Sequence, residues 1–312
     1  MNKYKLSLIA PIYGVEPYIE KFAKSALGQT FSDMEFIFVN DGTKDSSIEI
    51  LERVIESEFS HLKERITIIN KENQGLPLAR KSGLDVAQGE YILFADSDDW
   101  MEITAAEKIM AVAEESDADI VYFDLVKEYG ERQSIKAEKN YTGQTKREFI
   151  KNIFNYTSYG YTVTKCFRRS IYTDNTIYIP KLGMHEDIYL MCQIIFYAKS
   201  LIHLPEPLYH YRKDNPGAMC SQKREKRHLA SSRNLLDLYY NYKDSLKGSP
   251  IEDVASGIVL RAGWHSIIHN AGLFEEFPWL KEAVRNSKAG FGYRTPFPFQ
   301  LIVKVYAALN KK

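Results

Sequence analysis

The sequence predicts an α/β protein with a doubly wound, mainly parallel central sheet and a C-terminal helical extension. Strand-like and helix-like patterns alternate through the first half of the chain, as expected for strands joined by crossover helices. The chain has 312 residues, 45% of them hydrophobic, so it can bury a full core and lies near the upper size for one domain. One large domain followed by an extension is therefore expected.

Five apolar runs predict buried strands. Between them, apolar residues recur at intervals of three and four positions, which predicts amphipathic helices. Strands that alternate with helices pair in parallel, and such a sheet holds its ligands beyond the carboxyl ends of its strands. The predicted strands are 6–10, 35–39, 66–69, 91–95 and 119–123, and the predicted helices are 18–27, 46–59, 78–87 and 105–115.

The second half of the chain is less regular. Residues 127–161 are polar and rich in tyrosine, and we interpret them as a variable insertion. A helix is predicted from about 187 to 199 and, after two prolines, a short strand over 208–212. The sheet domain is expected to close there, which divides the chain into a domain of residues 1–215 and a helical region of residues 216–312. The helices predicted in that region are 223–242 and 251–271.

The fourth predicted strand is followed by Asp96, Ser97, Asp98 and Asp99. Three carboxylates within four positions repel one another, and their charge is best tolerated when a hard divalent cation lies among them. The carboxyl end of a strand is also where this fold class binds ligands. Asp96, Ser97 and Asp98 are therefore a candidate metal and diphosphate site, with Asp96 and Asp98 as the metal ligands. The alternative is a solvated, Asp-rich turn that caps the following helix.

Unusual residues also follow the first three predicted strands. Pro11 ends the first strand, and Tyr13 can lie flat against a base or pack at the strand end. After the second strand, Asp41 can accept an N–H from a pyrimidine ring or form an Asx-type turn. After the third, Asn73 is followed by Arg80, whose guanidinium can bind phosphate oxygens or serve as an ordinary surface charge. The four loops together indicate one ligand site.

Composition argues against several classes of protein. Lys and Arg together number 41, as do Asp and Glu, so no overall charge selects nucleic acid as a partner. The three cysteines, at 166, 192 and 220, are far apart and lack metal-type spacing, as expected in a reducing compartment. The first apolar run is broken by Pro11, and no later stretch is long enough to span a membrane. We therefore expect a soluble or peripheral protein in the cytoplasm.

The most specific segments lie in the first 125 or so residues, at 6–19, 25–31, 35–45, 73–75 and 89–100. Together they resemble the nucleotide-sugar-dependent glycosyltransferases of family 2, which have the A-type fold. The acceptor-side motifs of that family are similar to 163–169, 184–188 and 209–212. One departure is Asn40, where the family usually has another aspartate. The resemblance implies an enzyme that transfers a sugar from a UDP-sugar to a saccharide hydroxyl with inversion, in cell-surface polysaccharide or glycan assembly.

The resemblance also implies roles for individual residues. The nucleoside is expected to lie against the loops after the first two strands, with Asp41 on the uracil ring. Asp96 is similar to the acid on the ribose side and Asp98 to the metal ligand, so Mn²⁺ or Mg²⁺ is the implied cofactor. The remaining nucleotide-side positions fall on Pro11, Tyr13, Glu16, Asn73, Arg80 and Ser97.

An inverting transfer needs a base for the acceptor hydroxyl and a cation for the leaving diphosphate. Asp187, the second residue of the Glu186–Asp187 pair, looks like the catalytic base of the family. Without the family, the pair is better explained as acids favoured at a helix N-terminus. His185 and His210 could each add a contact to the metal or diphosphate, or be structural.

One pattern in the C-terminal region bears on possible membrane contact. Residues 297–312 place apolar side chains on one helical face and end in two lysines, a pattern typical of a helix in a membrane interface or of one packed on its own protein. If this helix binds the inner face of the cell membrane, a lipid-linked saccharide is the expected acceptor. Otherwise the acceptor is a saccharide or a glycoprotein glycan. The sequence specifies neither the donor sugar nor an oligomeric state.

Two rival functions use similar features. A nucleotidyltransferase that makes a sugar nucleotide also has a doubly wound sheet and an acidic metal site, but it should have a Gly-rich phosphate loop with a lysine after the first strand. Residues 11–16 have no such loop. A non-catalytic subunit that binds a sugar nucleotide would not need to keep both Asp98 and Asp187. We therefore expect a metal-dependent glycosyltransferase.

Overall fold

A computed structural model of the chain describes residues 2–142, 145–154, 160–180, 186–217, 224–247 and 272–286, with single positions between 252 and 267. In this described part, no helix is long and apolar enough to cross a membrane. The cysteines at 166 and 192, which lie in this part of the chain, are buried. The predicted features that lie outside the described residues are His185, Cys220, most of the helix 251–271 and all of the segment 297–312.

The chain folds into two units. The first comprises residues 1–143, 160–179 and 190–218 and contains the central sheet. The second comprises residues 144–159, 180–189 and 219–312 and is helical in its described residues. The predicted division of the chain after residue 215 stays a prediction.

The first unit is built on one large sheet. Its described strands are β1 (Tyr4–Ile12), β2 (Met34–Asn40), β3 (Ile66–Asn70), β4 (Gly89–Phe94), β5 (Trp100–Met101), β6 (Ile120–Tyr129), β7 (Arg132–Lys136), β8 (Lys165–Arg168) and β9 (Leu201–Arg212). They lie in the order β3-β2-β1-β4-β8-β6-β9-β5, and β7 pairs with β6. β1 is parallel to β2 and β4, β2 to β3, and β6 to β9. This mixed α/β fold with a mostly parallel central sheet confirms the predicted fold class.

Besides β7, which is antiparallel to β6, two short strands depart from the parallel arrangement. β8 lies between β4 and β6 and is antiparallel to both. β5 pairs with β9, also antiparallel. The sequence analysis predicted neither strand, because runs of four and two residues are too short to show a period.

The predicted helices of the first unit begin and end within two residues of the observed ones. In α1 (Ile19–Leu27), Phe22 is buried and packs edge-to-face on Phe38 of β2, with ring centroids 6.3 Å apart. Apolar faces of this kind supply most of the favourable free energy of folding. The other described helices are α2 (Ser47–Glu58), α3 (Leu76–Val86), α4 (Ala105–Ser116), α5 (Lys146–Phe154), α6 (Ser170–Thr173), α7 (Glu186–Tyr197), α8 (Arg224–Leu246), α9 (Leu273–Glu276) and α10 (Leu280–Asn286).

Where the structure describes it, the second half of the chain is more regular than its pattern predicts. Part of the expected insertion forms a hairpin of β6 and β7, followed by α5. β9 begins at Leu201 and runs through Pro205 and Pro207, although the sequence predicted a strand only from 208. The pairing of β9 with β6 changes register around Asp124. This bulge accommodates the prolines, because a proline donates no hydrogen bond to the ladder.

Helix α3 packs closely on β1 at Gly83. A Cβ atom on Gly83 would lie 2.3 Å from the Cγ2 methyl of Ile9, whose side chain is fully buried. That methyl branches directly from the strand and cannot move away without disturbing β1. The missing side chain at position 83 therefore sets the distance between α3 and β1.

Gly83→Ala is expected to lower the free energy of unfolding by about 1–3 kcal/mol, because overpacking outweighs the roughly 1 kcal/mol by which alanine favours a helix. Urea denaturation followed by circular dichroism measures the change. Ser82→Ala, at the neighbouring and partly exposed position, is the control and should change stability by less than about 0.5 kcal/mol. Wild-type stability of Gly83→Ala would contradict this account of the packing.

Candidate active site

The chain turns from β4 into β5 through residues 96–99, which we call the acid turn. The Asp99 N–H donates to the carbonyl oxygen of Asp96 at 3.1 Å and closes the turn. The Ser97 hydroxyl donates to the carbonyl oxygen of Pro11 at 2.7 Å and ties the turn to the end of β1. Ser97 and Pro11 are buried, whereas Asp96 and Asp98 are partly exposed. A ligand can therefore reach two of the three carboxylates.

Arg80 approaches the acid turn from α3. Its Nη2 donates to Oδ1 of Asp96 at 2.8 Å, and its side chain is only 4% exposed. The guanidinium carbon lies 5.6 Å from the centre of the Phe94 ring. A buried arginine held in this way fixes the orientation of its carboxylate partner. The diphosphate contact that the sequence predicted for Arg80 stays a prediction, while its burial excludes the alternative of an ordinary surface charge.

Asp98 is held by residues at and just after the end of β9. Nδ2 of Asn215 donates to Oδ2 of Asp98 at 2.8 Å, and Nε of Arg212 donates to the Asp98 carbonyl oxygen at 2.9 Å. Burial, together with the neighbouring charge of Asp96, raises the pKa of the Asp98 carboxyl. The sequence analysis missed Asn215 because nothing in its flanking pattern distinguishes it. It placed Arg212 in a motif without giving it a role.

Asp41 connects three of the loops at this edge of the sheet. It is 3% exposed, and its carboxylate oxygens accept the backbone N–H groups of Gln74 at 3.0 Å and Gly75 at 2.8 Å. Its own N–H donates to the carbonyl oxygen of Ile12 at 3.1 Å. The loops after β1, β2 and β3 are therefore joined through one residue.

The other predicted nucleotide-side residues lie on the exposed rim. Tyr13 is 55% exposed, so its ring is accessible to a ligand. Glu16 accepts the N–H of Ser46 at 3.1 Å. Asn73 is exposed, and its backbone approaches Gly42 so closely that a Cβ atom on Gly42 would lie 2.8 Å from the Asn73 nitrogen. Gly42 also has a φ of +71°, a conformation that favours glycine.

His210, on β9, contacts acids on both sides of its ring. Nδ1 lies 2.7 Å from Oε1 of Glu128, and Nε2 lies 2.7 Å from Oε1 of Glu102. The ring also stacks on Trp100, with centroids 5.0 Å apart. A histidine that binds a metal needs one ring nitrogen for it. Of the two roles that the sequence left open for His210, these contacts favour the structural one.

Glu186 and Asp187 begin α7 and belong to the second unit. Glu186 is buried, Asp187 is partly exposed, and Oδ1 of Asp187 accepts the N–H of Ile188 at 2.7 Å. Both acids lie in the first turn of the helix, where the macrodipole favours negative charge. A partly exposed carboxylate is also able to accept a proton from a hydroxyl group.

The acid turn is also the place where a divalent cation could bind. Among the residues that the structure describes, no group of three or more His, Cys, Asp or Glu side chains forms a complete metal site. Mg²⁺ does not require one, because it is usually held by one or two carboxylates together with substrate phosphates and water. Asp96 and Asp98 match that description.

The chain belongs to glycosyl transferase family 2. The profile of that family matches residues 7–175, more than half of the chain, and the match includes the acid turn and the loops after the first three strands. Over 218 residues, the chain is 33% identical to the putative glycosyltransferase EpsH of Bacillus subtilis strain 168. That match covers 68% of this chain and 62% of EpsH, so this chain spans less than two thirds of its relative.

Two solved structures share the fold. S. aureus TarS 1–349 in complex with UDP-GlcNAc has a TM-score of 0.63 at 21% identity, over 90% of this chain and 80% of that one. The mannosyltransferase PcManGT from Pyrobaculum calidifontis, in complex with GDP-Man and Mn²⁺, has a TM-score of 0.56 at 16% identity, over 98% of this chain and 80% of that one. At these identities the likeness concerns the fold alone.

Arg80→Met is expected to lower the free energy of unfolding by about 1–3 kcal/mol, because it removes the buried charged partner of Asp96. Lys81→Met is the matched control. It makes the same kind of change one residue further on, where Lys81 pairs with Asp85 on the surface and both side chains are more than 40% exposed. In guanidinium denaturation, the free energy of unfolding of Lys81→Met should fall by less than about 1 kcal/mol. Equal losses in the two variants would contradict the special role of Arg80.

Proposed function

We propose that the protein is an inverting, metal-dependent glycosyltransferase that moves a sugar from a UDP-sugar to a hydroxyl group of a saccharide acceptor. The observation that carries this proposal is the acid turn, with two accessible carboxylates at the carboxyl edge of a mostly parallel sheet, in a chain of glycosyl transferase family 2. Nucleotides bind at this edge in such sheets. The complex of TarS with UDP-GlcNAc supports UDP as the nucleotide, and the GDP-Man complex of PcManGT makes GDP the competitor to test.

The loops after β1 and β2 form the proposed nucleoside site. The exposed ring of Tyr13 can stack on uracil. On the resemblance to the family, Asp41 is the proposed acceptor of the ring N–H of uracil; its carboxylate also accepts two backbone N–H groups and lies 3.5 Å from Nζ of Lys71. Pro11, Glu16 and Asn73 belong to the same edge and complete the proposed site.

Asp96 and Asp98 are the proposed holders of the cation. Arg80 takes Oδ1 of Asp96 and Asn215 takes Oδ2 of Asp98, so each carboxylate can offer its other oxygen. Burial of Asp98 and its repulsion by Asp96 make two negative charges unfavourable at this turn. A bound cation would relieve that repulsion. When bound, Mn²⁺ or Mg²⁺ would offset the negative charge that develops on the leaving diphosphate.

Asp187 is the proposed general base, with Glu186 as the second acid of the pair. The acceptor hydroxyl must lose its proton as it attacks the anomeric carbon, and a partly exposed carboxylate can take that proton. Attack on the face opposite the departing UDP inverts the configuration of the sugar. The resemblance of 184–188 to the acceptor-side motif of the family supports this assignment.

Metal removal tests the donor site. Wild-type protein should bind UDP in calorimetry with Mn²⁺ present, and EDTA should weaken that affinity by about tenfold or more because the diphosphate then faces two unscreened carboxylates. Asp98→Asn should bind UDP weakly whether or not Mn²⁺ is added. Asp117→Asn, which changes a side chain that is 92% exposed, should respond to Mn²⁺ as the wild type does. UDP affinity that is indifferent to EDTA would contradict a metal-dependent donor site.

Asp187→Asn tests the base. Loss of a general base typically costs about two to four powers of ten in rate, so UDP release from the preferred UDP-sugar should fall by that factor while Mn²⁺-dependent UDP binding stays unchanged. Asp117→Asn again serves as the control and should keep the wild-type rate. A variant at position 187 with normal turnover would refute the assignment.

The same assay separates the rival functions. A glycosyltransferase releases UDP from a UDP-sugar and adds the sugar to an acceptor, which mass spectrometry detects as an increased acceptor mass. A nucleotidyltransferase would instead make a sugar nucleotide and pyrophosphate from a nucleoside triphosphate and a sugar phosphate. A non-catalytic subunit would bind UDP and release none from any UDP-sugar or GDP-sugar in the panel.

A further inference from the structure

We propose that Tyr209 and Asp99 are positioning residues of the donor site, forming a buried hydroxyl–carboxylate pair through which the end of β9 sets the shape of the acid turn. This inference rests on the proposed function of the acid turn. The family profile ends at residue 175, so it covers Asp99 and leaves Tyr209 outside. The pair therefore links the matched part of the chain to a strand that the profile does not reach.

Asp99 differs from the other two acids of the turn in its exposure. It is 2% exposed, whereas Asp96 and Asp98 are partly exposed. Its Oδ2 accepts the Tyr209 hydroxyl at 2.9 Å, and its Oδ1 accepts the backbone N–H of Arg212 at 2.7 Å. Both oxygens of Asp99 are thus bound by β9. This carboxylate therefore has a structural role, whereas Asp96 and Asp98 remain partly exposed to a ligand.

The Tyr209 hydroxyl also holds the start of the turn. It accepts the backbone N–H of Asp96 at 2.9 Å while it donates to Asp99. One oxygen atom therefore connects the first and last residues of the acid turn. The Tyr209 side chain is fully buried, so this atom cannot move unless β9 moves. The backbone of the turn, in turn, decides the direction in which Asp96 and Asp98 project.

The segment after the turn is attached to β9 as well. β5 and β9 pair in an antiparallel ladder, and the Glu102 N–H donates to the carbonyl oxygen of Leu208 at 3.0 Å. β9 therefore holds both the acid turn and the segment that follows it, while Ser97 ties the turn to β1. If the Tyr209 hydroxyl is removed, the N–H of Asp96 and one oxygen of Asp99 lose a buried hydrogen bond. We therefore expect the backbone of the turn to change conformation, so that these two groups find other hydrogen-bond partners.

The expected consequence is a difference between folding and donor binding. Tyr209→Phe keeps the aromatic ring in the core, so the protein should fold. The relaxed turn should present Asp96 and Asp98 less favourably to Mn²⁺ with UDP, because a site that binds a metal with diphosphate depends on carboxylates held in place. UDP binding without metal depends on the loops after β1 and β2 and should not change.

The experiment compares Tyr209→Phe with Tyr91→Phe. Tyr91 is also buried, and its hydroxyl also makes two hydrogen bonds, to the carbonyl oxygen of Ala118 at 2.8 Å and from Nη2 of Arg168 at 2.6 Å. It lies near the start of β4, away from the acid turn, so the two variants lose similar interactions at different places. UDP affinity is measured by calorimetry over a range of Mn²⁺ concentrations and again in EDTA, and stability is measured by urea denaturation.

We expect both variants to lose stability to a similar degree. Only Tyr209→Phe should lose Mn²⁺-dependent UDP affinity, by about tenfold or more, and need a higher Mn²⁺ concentration for half-saturation. Asp99→Asn is the second variant and should shift the Mn²⁺ midpoint in the same direction, because an amide replaces the oxygen that accepts either Tyr209 or the Arg212 N–H.

Two results would overturn the inference. The first is an unchanged Mn²⁺ midpoint in both Tyr209→Phe and Asp99→Asn, beside a wild-type protein that binds UDP with Mn²⁺. The second is an equal loss of UDP affinity in Tyr91→Phe, which would reduce the effect to general destabilisation. A wild-type protein that fails to bind UDP with Mn²⁺ would refute the proposed function itself, and the positioning role would fall with it.

Discussion

Repulsion among the three carboxylates of the acid turn is the constraint on which the site depends. Acids this close are tolerated only when each has partners that offset its charge or satisfy its oxygens. The fold supplies a different partner to each one. Asp96 receives a guanidinium from α3, Asp98 receives the Asn215 amide, and Asp99 receives a hydroxyl and a backbone N–H from β9. The turn is therefore the point at which several distant parts of the first unit meet.

These partners also divide the acids by function. Asp99 is buried and bound through both oxygens, whereas Asp96 and Asp98 each have one oxygen bound by a protein donor and are partly exposed. A solvated Asp-rich turn would show no such division, because water would satisfy all three carboxylates alike. The arrangement leaves a strip of accessible negative charge held in place by neutral and positive groups behind it. That is the electrostatic property expected of a site for a divalent cation with a diphosphate.

The sheet topology explains how the partners arrive. β1, β2, β3 and β4 are parallel, so the loops that follow them come to one edge, and Asp41 and Ser97 connect them there by short hydrogen bonds. β9 is parallel to β6 up to its last residue, Arg212, and on its other edge Tyr209 and His210 pair with β5. The length of β9 brings Tyr209, Arg212 and Asn215 to the same edge from more than a hundred residues further along the chain. The loops that match the family profile and the residues that reach them from β9 therefore lie at the same edge of the sheet.

By itself, the sequence determined the fold class, the first four strands, the helices between them and the position of the acid turn. These features depend on local periodicity and on the charge of adjacent residues, which the order of residues displays directly. Only the tertiary structure decided that Arg80 orients Asp96, that Pro205 and Pro207 lie within β9, and that Tyr209 and Asn215 contact the acid turn. Each of these depends on contacts between residues far apart in the chain, and a buried hydrogen bond between distant strands leaves no periodic signal in either of them.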